Sequence, residues 1–302
     1  MTISNTILIQ TEKNNDGIIV IGLNIINKVQ YESKNNMKIT IGITTYNRRE
    51  LLEKTALSLR HVKNIGDCNI RIYDDKSADF DESFLQKTFP NAKAIIVNTK
   101  NLGPDGNTAS MYRDFIKSGD DLLINLDADL ICRPDMILFI KEYIGKTDGV
   151  LGLYNSYRHK PNKKMMIARE KFILKKDIGA AGVVFTKEIL GQIIENVEVT
   201  RRFDWDWSEY LIKHNKKIMI SENSYIQHIG GVEGANCGGY KFDFALDFNP
   251  LNDTNKVILR EYFSDMKRNI EKKRFLKWIR YQQKIMGDTP DSLFSLFLKR
   301  SK

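Results

Sequence analysis

DLLINLDADLICRPD, from Asp121 to Asp135, is an apolar run that ends in acids and a proline. It reads as a strand, and its neighbours in the chain decide what kind of sheet it joins. Asp127 and Asp129 stand two residues apart. In a continuing strand they would point to opposite faces, but where a strand ends and turns both carboxylates can reach one divalent ion. Hard oxygen ligands of this kind suit Mg²⁺ or Mn²⁺. An acidic turn without a ligand accounts for the same residues.

Working outward, the same punctuation recurs. ITIGITTY (39–46) is a β-branched run, and RELLEKTALSLRHV (49–62) has helical spacing, with Leu51, Leu52, Ala56, Leu57 and Leu59 as its apolar positions. NIRIYDD (69–75) is a short strand that also ends in acids, followed by a short helix at DESFLQKTF (81–89) and a strand at AKAIIVN (92–98). NTASMYRDFIKSG (107–119) is a helix leading into the opening stretch. Strands alternating with helices at this spacing predict an α/β fold, a single Rossmann-like, mainly parallel sheet flanked by helices, with ligands at the carboxyl ends of its strands.

Downstream, strands are expected at GVLGLYNSY (149–157) and KIMISE (217–222), and a helix at SEYLIKHN (208–215). GAAGVVFTKEIL (179–190) begins as a small-residue loop, and residues 158–176 read as a solvated basic loop that could attract a phosphate or carboxylate. Residues 255–286 have helical stripes, with Leu259, Phe263, Met266 and Ile270 on one and Phe275, Trp278 and Ile279 on another. A short amphipathic segment containing Phe294, Phe297 and Leu298 comes after them. Residues 1–37 hold two apolar runs, ILIQ and GIIVIGLNII, around the turn-like KNNDG, and could form an appended hairpin.

A chain of 302 residues with 42% hydrophobic and 28% charged residues belongs with soluble globular proteins. No apolar run approaches the roughly 20 residues needed to cross a bilayer, and nothing frames GIIVIGLNII as a signal peptide, so a cytoplasmic location is expected. Cys68, Cys132 and Cys237 lack CxxC spacing and suggest neither disulfides nor a zinc site. Of the net charge of +9, residues 254–302 carry +8, with 13 Lys and Arg against 5 Asp and Glu. The basic helical tail, 251–302, could therefore meet an anionic membrane at its inner face, or pack on the domain or a second subunit. Its aromatic residues lack the interleaving of a nucleic-acid platform, and no nucleic acid is expected.

FDWDWSEYL (203–211) sets Asp204 and Asp206 among aromatic residues. Residues at i and i+2 do not share a helix face, so at most one of the two can enter a given site. Trp205 and Trp207 could exclude water or stack on a sugar, or simply be core, while either acid could cap the helix. YIQHIGGVEG (225–234) places His228 after a strand and before Gly230 and Gly231, where the imidazole could be a metal ligand or structural.

The order ITIGITTYNRRELLEKTALSL, IRIYDDKSAD, NLGPDGNTA and INLDADLICRPD resembles the nucleotide-binding half of family 2 glycosyltransferases with the GT-A fold, over roughly residues 38–140. The resemblance implies a catalytic domain at 38–250, with its acceptor half at 141–250. It implies that Thr45, Tyr46 and Arg48 lie near the base, that Asp75 with Asp74 binds a uracil, and that Asn101 and Gly103 belong to the same nucleotide-sugar site. Asp127 with Ala128 would face the ribose or diphosphate, and Asp129 with His228 would hold Mn²⁺ or Mg²⁺. Three features depart from the family pattern: Thr44 stands in place of a proline, Lys76 in place of a glycine, and the A-R-N run is absent. In the second half, RRFDWDWSEYLIKHNKKI (201–218) is similar to the family's G-E-D-W-D-L segment, with Phe203 at the Glu. That likeness implies Asp204 as general base and Asp206 as the second acid.

The implied activity is metal-dependent, inverting transfer of a sugar from a nucleoside diphosphate, UDP for preference, to a hydroxyl of a glycan or glycolipid acceptor, as in bacterial surface polysaccharide synthesis. A metal-dependent phosphohydrolase or nucleotidyltransferase, and a non-catalytic sugar-nucleotide-binding protein, are the alternatives, and a homo-oligomer is left open.

Overall fold

The computed structural model describes residues 8–13, 19–24, 37–156, 163–168, 170–230, 243–245, 247–269 and 273–287. The chain divides into two compact units, Met1–Met37 and Lys38–Lys302. In the first, β1 (Leu8–Lys13) and β2 (Ile19–Asn24) pair antiparallel, with Leu8 opposite Asn24.

The second unit begins with β3 (Ile39–Thr45), α1 (Arg49–Leu59), β4 (Cys68–Asp74), α2 (Glu82–Thr88), β5 (Ala94–Val97), α3 (Gly103–Lys117) and β6 (Leu122–Asp127). It continues with β7 (Leu130–Cys132), α4 (Met136–Tyr143), β8 (Val150–Gly152), β9 (Lys163–Ile167), β10 (Glu170–Lys175) and β11 (Val183–Thr186). Next are α5 (Lys187–Asn196), α6 (Phe203–Lys213), β12 (Ile218–Ser221), β13 (Ile226–His228), α7 (Asp253–Asn269) and α8 (Lys273–Ile285).

Nine strands form one sheet in the order β5-β4-β3-β6-β11-β8-β12-β10-β9, and β13 pairs with β7 in a small separate ribbon. Pair directions make seven of the nine strands point the same way, with only β10 and β11 reversed. The sheet is therefore mixed but mostly parallel, as the alternation of strands and helices requires. Ile39, Ile41, Ile43, Leu123, Ile124 and Leu126 are fully or almost fully buried, which is why β3 and β6 read as continuous apolar runs. Gly42 lets α3 lie against β3, since a Cβ there would meet Met111 Sδ at 2.2 Å.

The core between sheet and helices is aromatic. Trp207 meets Phe185 edge-on at 5.3 Å, and Tyr112 packs on Phe185 at 5.5 Å and Phe203 at 6.0 Å. Trp207 is thus core, with no face left for a sugar, whereas Trp205 is 43% exposed.

The basic run from Arg158 departs from the expected loop. Strands β9 (Lys163–Ile167) and β10 (Glu170–Lys175) pair antiparallel on the sheet edge, with Phe172 opposite Met165. Exposed Lys163, Lys164 and Lys171 mask a β pattern in which Phe172, Ile173 and Lys175 are buried. Helix α3 also starts four residues earlier than the apolar period indicates, because Pro104 is accommodated in its first turn.

Helix α7 packs on the domain: Leu259 and Phe263 are fully buried, Lys54 pairs with Glu261 at 3.1 Å, and Asn255 Nδ2 donates to Cys132 O at 2.8 Å. No helix among the described residues is long and apolar enough to cross a membrane. Phe294, Phe297 and Leu298, Gly231, Cys237 and the side chains of Met266, Ile270, Phe275 and Trp278 lie outside the described residues.

Candidate active site

Three adjacent parallel strands end together. Register sets Thr45 beside Asp74 and Thr44 beside Asp127, so β3, β4 and β6 deliver Thr45, Asp74, Asp75 and Asp127 to one edge of the sheet. A carboxyl edge between two strands is where an open α/β sheet leaves a crevice.

The chain turns sharply after β3, with Asn47 at φ 54° and Arg48 at φ 61° in the left-handed region. Asn47 Oδ1 accepts from Ala78 N at 2.8 Å and its own N–H donates to Ser77 Oγ at 2.7 Å, which ties this turn to the one after β4. Asp74 is consumed there, accepting from Ser77 N at 3.0 Å and Ser77 Oγ at 2.5 Å. Burial pushes its carboxyl up and the serine bonds oppose that. Asp75 is 2% exposed, and its Oδ1 accepts from Asn98 Nδ2 at 2.9 Å and Leu102 N at 2.8 Å. Asn101 Oδ1 accepts from Gly103 N at 3.0 Å, so the NLG turn wraps the Asp75 carboxylate. Tyr46, the residue after Thr45, is partly exposed.

Asp129 is the most constrained acid of the group. Its Oδ2 accepts from Arg48 Nη1 at 2.5 Å and pairs with His228 Nε2 at 3.2 Å. The β7–β13 ribbon places His228 opposite Leu130, and Ile229 N donates to Asp129 O at 2.9 Å. Gly230 closes the contact: a Cβ on it would sit 1.8 Å from Asp129 Oδ2. Ala128 is buried, with its carbonyl accepting from Thr55 Oγ1 at 2.8 Å. Arg48 therefore faces the Asp129 end of the site rather than the Asp75 end.

Electrostatics separate the two DxD acids. Burial, then the charge of Asp129, pushes Asp127 up to about 6, while Thr44 Oγ1 donates to its Oδ1 at 3.1 Å. Burial alone would raise Asp129 too, but the charges of His228 and Arg48 hold it below the usual carboxylate range. Burial would lower His228, yet Asp129 raises it to about 9, so the pair is an imidazolium and a carboxylate.

Orphaned polar atoms collect at this edge: among the described residues, Thr45 Oγ1, Arg48 Nε, Asp129 Oδ1, His228 Nδ1 and Tyr112 Oη are buried without a hydrogen-bond partner. Such groups are costly unless something supplies the missing partner. Among the described residues no three His, Cys, Asp or Glu side chains gather closely enough to hold a metal alone. Asp129 and, once the cation displaces its proton, the imidazole of His228 suit a cation that completes its shell with phosphate oxygens, as Mg²⁺-type ions do.

Across from these acids stands α6. Asp204 Oδ2 lies 3.6 Å from the Cβ position of Gly179, in a loop bonded to β6 through Asn125 Nδ2 to Ala180 O at 2.9 Å and Gly182 N to Asn125 O at 3.0 Å. The charges of Asp127 and Asp204 both bear on the buried Tyr112 hydroxyl, whose pKa is raised first by burial. Asp206 turns elsewhere and accepts from Thr200 Oγ1 at 2.5 Å. The helix geometry thus separates the two acids, as i and i+2 positions must be. Neither caps α6 from its N-cap position, which is Arg202 without a side-chain bond, whereas Asp105 at the start of α3 accepts from Phe203 N–H.

Sequence reasoning missed several of these groups. Thr44 reads as a departure from a proline, yet its register against Asp127 makes it a donor to that acid. Asn98 and Lys175 sit in stretches with no motif, and Asp105 and Asn107 lie within NLGPDGNTA, where no pattern marks them individually. Lys175 is 2% exposed, donates to Ser156 O at 3.0 Å and is lowered to about 8 by burial, partly offset by Asp243.

The sequence model described as Glycosyl transferase family 2 matches residues 40–214, more than half of the chain. No curated protein sequence is significantly similar. Among solved structures, GalNAc-T7 with UDP, GalNAc and Mn²⁺ is 9% identical with a TM-score of 0.50, over 61% of this chain and 42% of that one. Residues 1–349 of TarS from S. aureus are 11% identical with a TM-score of 0.45, over 83% of this chain and 69% of that one. The mannosyltransferase PcManGT from Pyrobaculum calidifontis, in complex with GDP-Man and Mn²⁺, is 12% identical with a TM-score of 0.47, over 82% and 68%. The chain thus spans less than half of the GalNAc-T7 chain and about two thirds of the other two. With its mostly parallel sheet and the acids at its carboxyl edge, the chain belongs to glycosyl transferase family 2 and has the GT-A fold.

Proposed function

We propose that the protein transfers a sugar, with inversion, from a nucleoside diphosphate sugar, UDP-linked for preference, to a hydroxyl of a glycan or glycolipid acceptor. The observation that carries this reading is the convergence of Asp75, Asp127 and Asp129 on one sheet edge, with Asp204 beside the loop bonded to β6. The GT-A neighbour that holds UDP, GalNAc and Mn²⁺ shares only the fold with this chain, so donor and metal rest on the residues themselves.

In this reading Asp75 accepts a ring N–H of the base, Thr45 and Tyr46 line its pocket, and the Asn101–Gly103 turn borders it. Asp127 faces the ribose or diphosphate. Asp129 and His228 hold Mn²⁺ or Mg²⁺, and when bound the cation neutralises charge on the departing diphosphate. Arg48 keeps Asp129 ionised and aimed. The acceptor hydroxyl attacks the anomeric carbon from the side of α6, the bond to the diphosphate oxygen breaks, and Asp204 takes the hydroxyl proton. A cytoplasmic role in bacterial surface polysaccharide synthesis, with the basic tail at the inner face of the membrane, completes the proposal.

The test is release of the nucleoside diphosphate from its sugar donor. Asp204→Asn should lower turnover at least about a hundredfold with donor binding retained, since general base catalysis contributes factors of that order. Asp206→Asn, which disturbs only a bond to Thr200, should stay near wild type. Full turnover in Asp204→Asn would assign the proton to another group.

A further inference from the structure

Asp75 does not stand alone at the end of β4. Asn98 Nδ2 donates to Asp75 Oδ1 at 2.9 Å and to Asn107 Oδ1 at 3.0 Å, and Asn107 Nδ2 donates to Tyr73 O at 2.9 Å. Asn107 is 2% exposed, on the inner face of α3, and the bond to the Tyr73 carbonyl permits one orientation of its amide. With that orientation fixed, its oxygen faces Asn98 and both Asn98 amide protons are committed. Leu102 N supplies a second bond to the same Asp75 oxygen. Oδ1 is thereby saturated, and Oδ2 receives no bond among the described residues.

We propose that Asn107 is a positioning residue that sets base selectivity: through Asn98 it holds Asp75 with Oδ2 presented to a ring N–H of the donor's base. The proposal rests on the donor reading above and deepens it. A carboxylate is an acceptor only. Uracil N3–H and guanine N1–H offer it a proton, whereas cytosine N3 and adenine N1 present lone pairs. A carboxylate clamped on one oxygen cannot swing away from that repulsion, and an unclamped one can. Selectivity then comes from rejecting the wrong edge as much as from bonding the right one.

The experiment measures dissociation constants of UDP, GDP, CDP, ADP and inorganic pyrophosphate, all with Mn²⁺, on the full chain. Wild type should bind UDP or GDP more tightly than CDP and ADP. Asn107→Ala should reduce that preference about tenfold, the worth of one hydrogen bond to a charged group, while pyrophosphate affinity is unchanged. Asn98→Ala breaks the same relay from a partly exposed position and serves if Asn107→Ala does not fold. Combined in one chain, the two should lose no more than either alone, because they remove one device. A preference kept in both variants, or equal weakening of all nucleotides and pyrophosphate, overturns the relay. A wild type that binds pyrophosphate but shows no preference among nucleotides also overturns it. A wild type that binds no nucleoside diphosphate overturns the donor reading instead, and the relay falls with it.

Discussion

Gly230→Ala probes the most crowded contact in the site. The added Cβ would lie 1.8 Å from Asp129 Oδ2, 2.6 Å from Cγ and 2.9 Å from Cβ. Ordinary contact between such atoms requires the carboxylate to retreat by roughly 1.5 Å. Oδ2 is held by Arg48 at 2.5 Å and His228 at 3.2 Å. A retreat of that size breaks one or both, and it moves the acid proposed to hold the metal. Overpacking of this kind costs about 1–3 kcal/mol of stability, and a 1 Å displacement of a reacting constellation costs about a hundredfold in turnover. Stability to urea and Mn²⁺-dependent donor turnover should therefore both fall in Gly230→Ala, with half-saturating Mn²⁺ raised. Gly66→Ala is the control, since a Cβ there meets nothing within 4 Å. Turnover within twofold of wild type at unchanged half-saturating Mn²⁺ would refute the reasoning, because Asp129 would then be displaced without consequence.

Two further perturbations test the same geometry. Thr44→Val removes the hydroxyl that donates to Asp127 Oδ1 and keeps the shape, so kcat/KM for the donor should fall about tenfold with little change in Tm; a change under twofold would mean that Asp127 needs no partner. Lys175, lowered from 10.5 to about 8 chiefly by burial, binds fewer protons folded than unfolded between those values. Its contribution is therefore largest above pH 10.5 and is lost as pH falls through about 8. The unfolding free energy of wild type minus that of Lys175→Met should rise across that window by at most about 1.4 kcal/mol per pH unit, and a flat difference would show that the lysine titrates normally.

The elements that fix the site were legible where local chemistry and tertiary placement agree. ITIGITTY, NIRIYDD and DLLINLDAD are apolar or β-branched and end in turn formers, and each became a strand of the parallel core ending at the crevice. The β9–β10 pair was hidden because its lysines look like a solvated run, although Lys175 is buried and bonded to Ser156 O. FDWDW divided by helical geometry: Phe203 and Trp207 entered the core, Asp206 met Thr200, and Asp204 reached the Gly179 loop. The convergence of Arg48, Asp129 and His228 joins three separate stretches, and the Asn98–Asn107 relay joins a strand end to a helix face. Spacing along the chain carries no information about such meetings. The register of β3 against β6, the β4–β5 pairing and the β7–β13 ribbon determine them.

The proposed transfer requires a nucleoside diphosphate sugar seated at the ends of β3, β4 and β6 with a divalent cation. Thermal unfolding of the protein against a panel of nucleotide sugars, with and without Mn²⁺, tests this directly, since a ligand at about 100 times its Kd adds about 2.7 kcal/mol to the folded state. At least one donor should raise Tm by several degrees in the presence of Mn²⁺ and much less without it, and Asp129→Asn should abolish the difference. Absence of stabilisation by every nucleotide sugar, with metal or without, would contradict a donor site at this edge of the sheet.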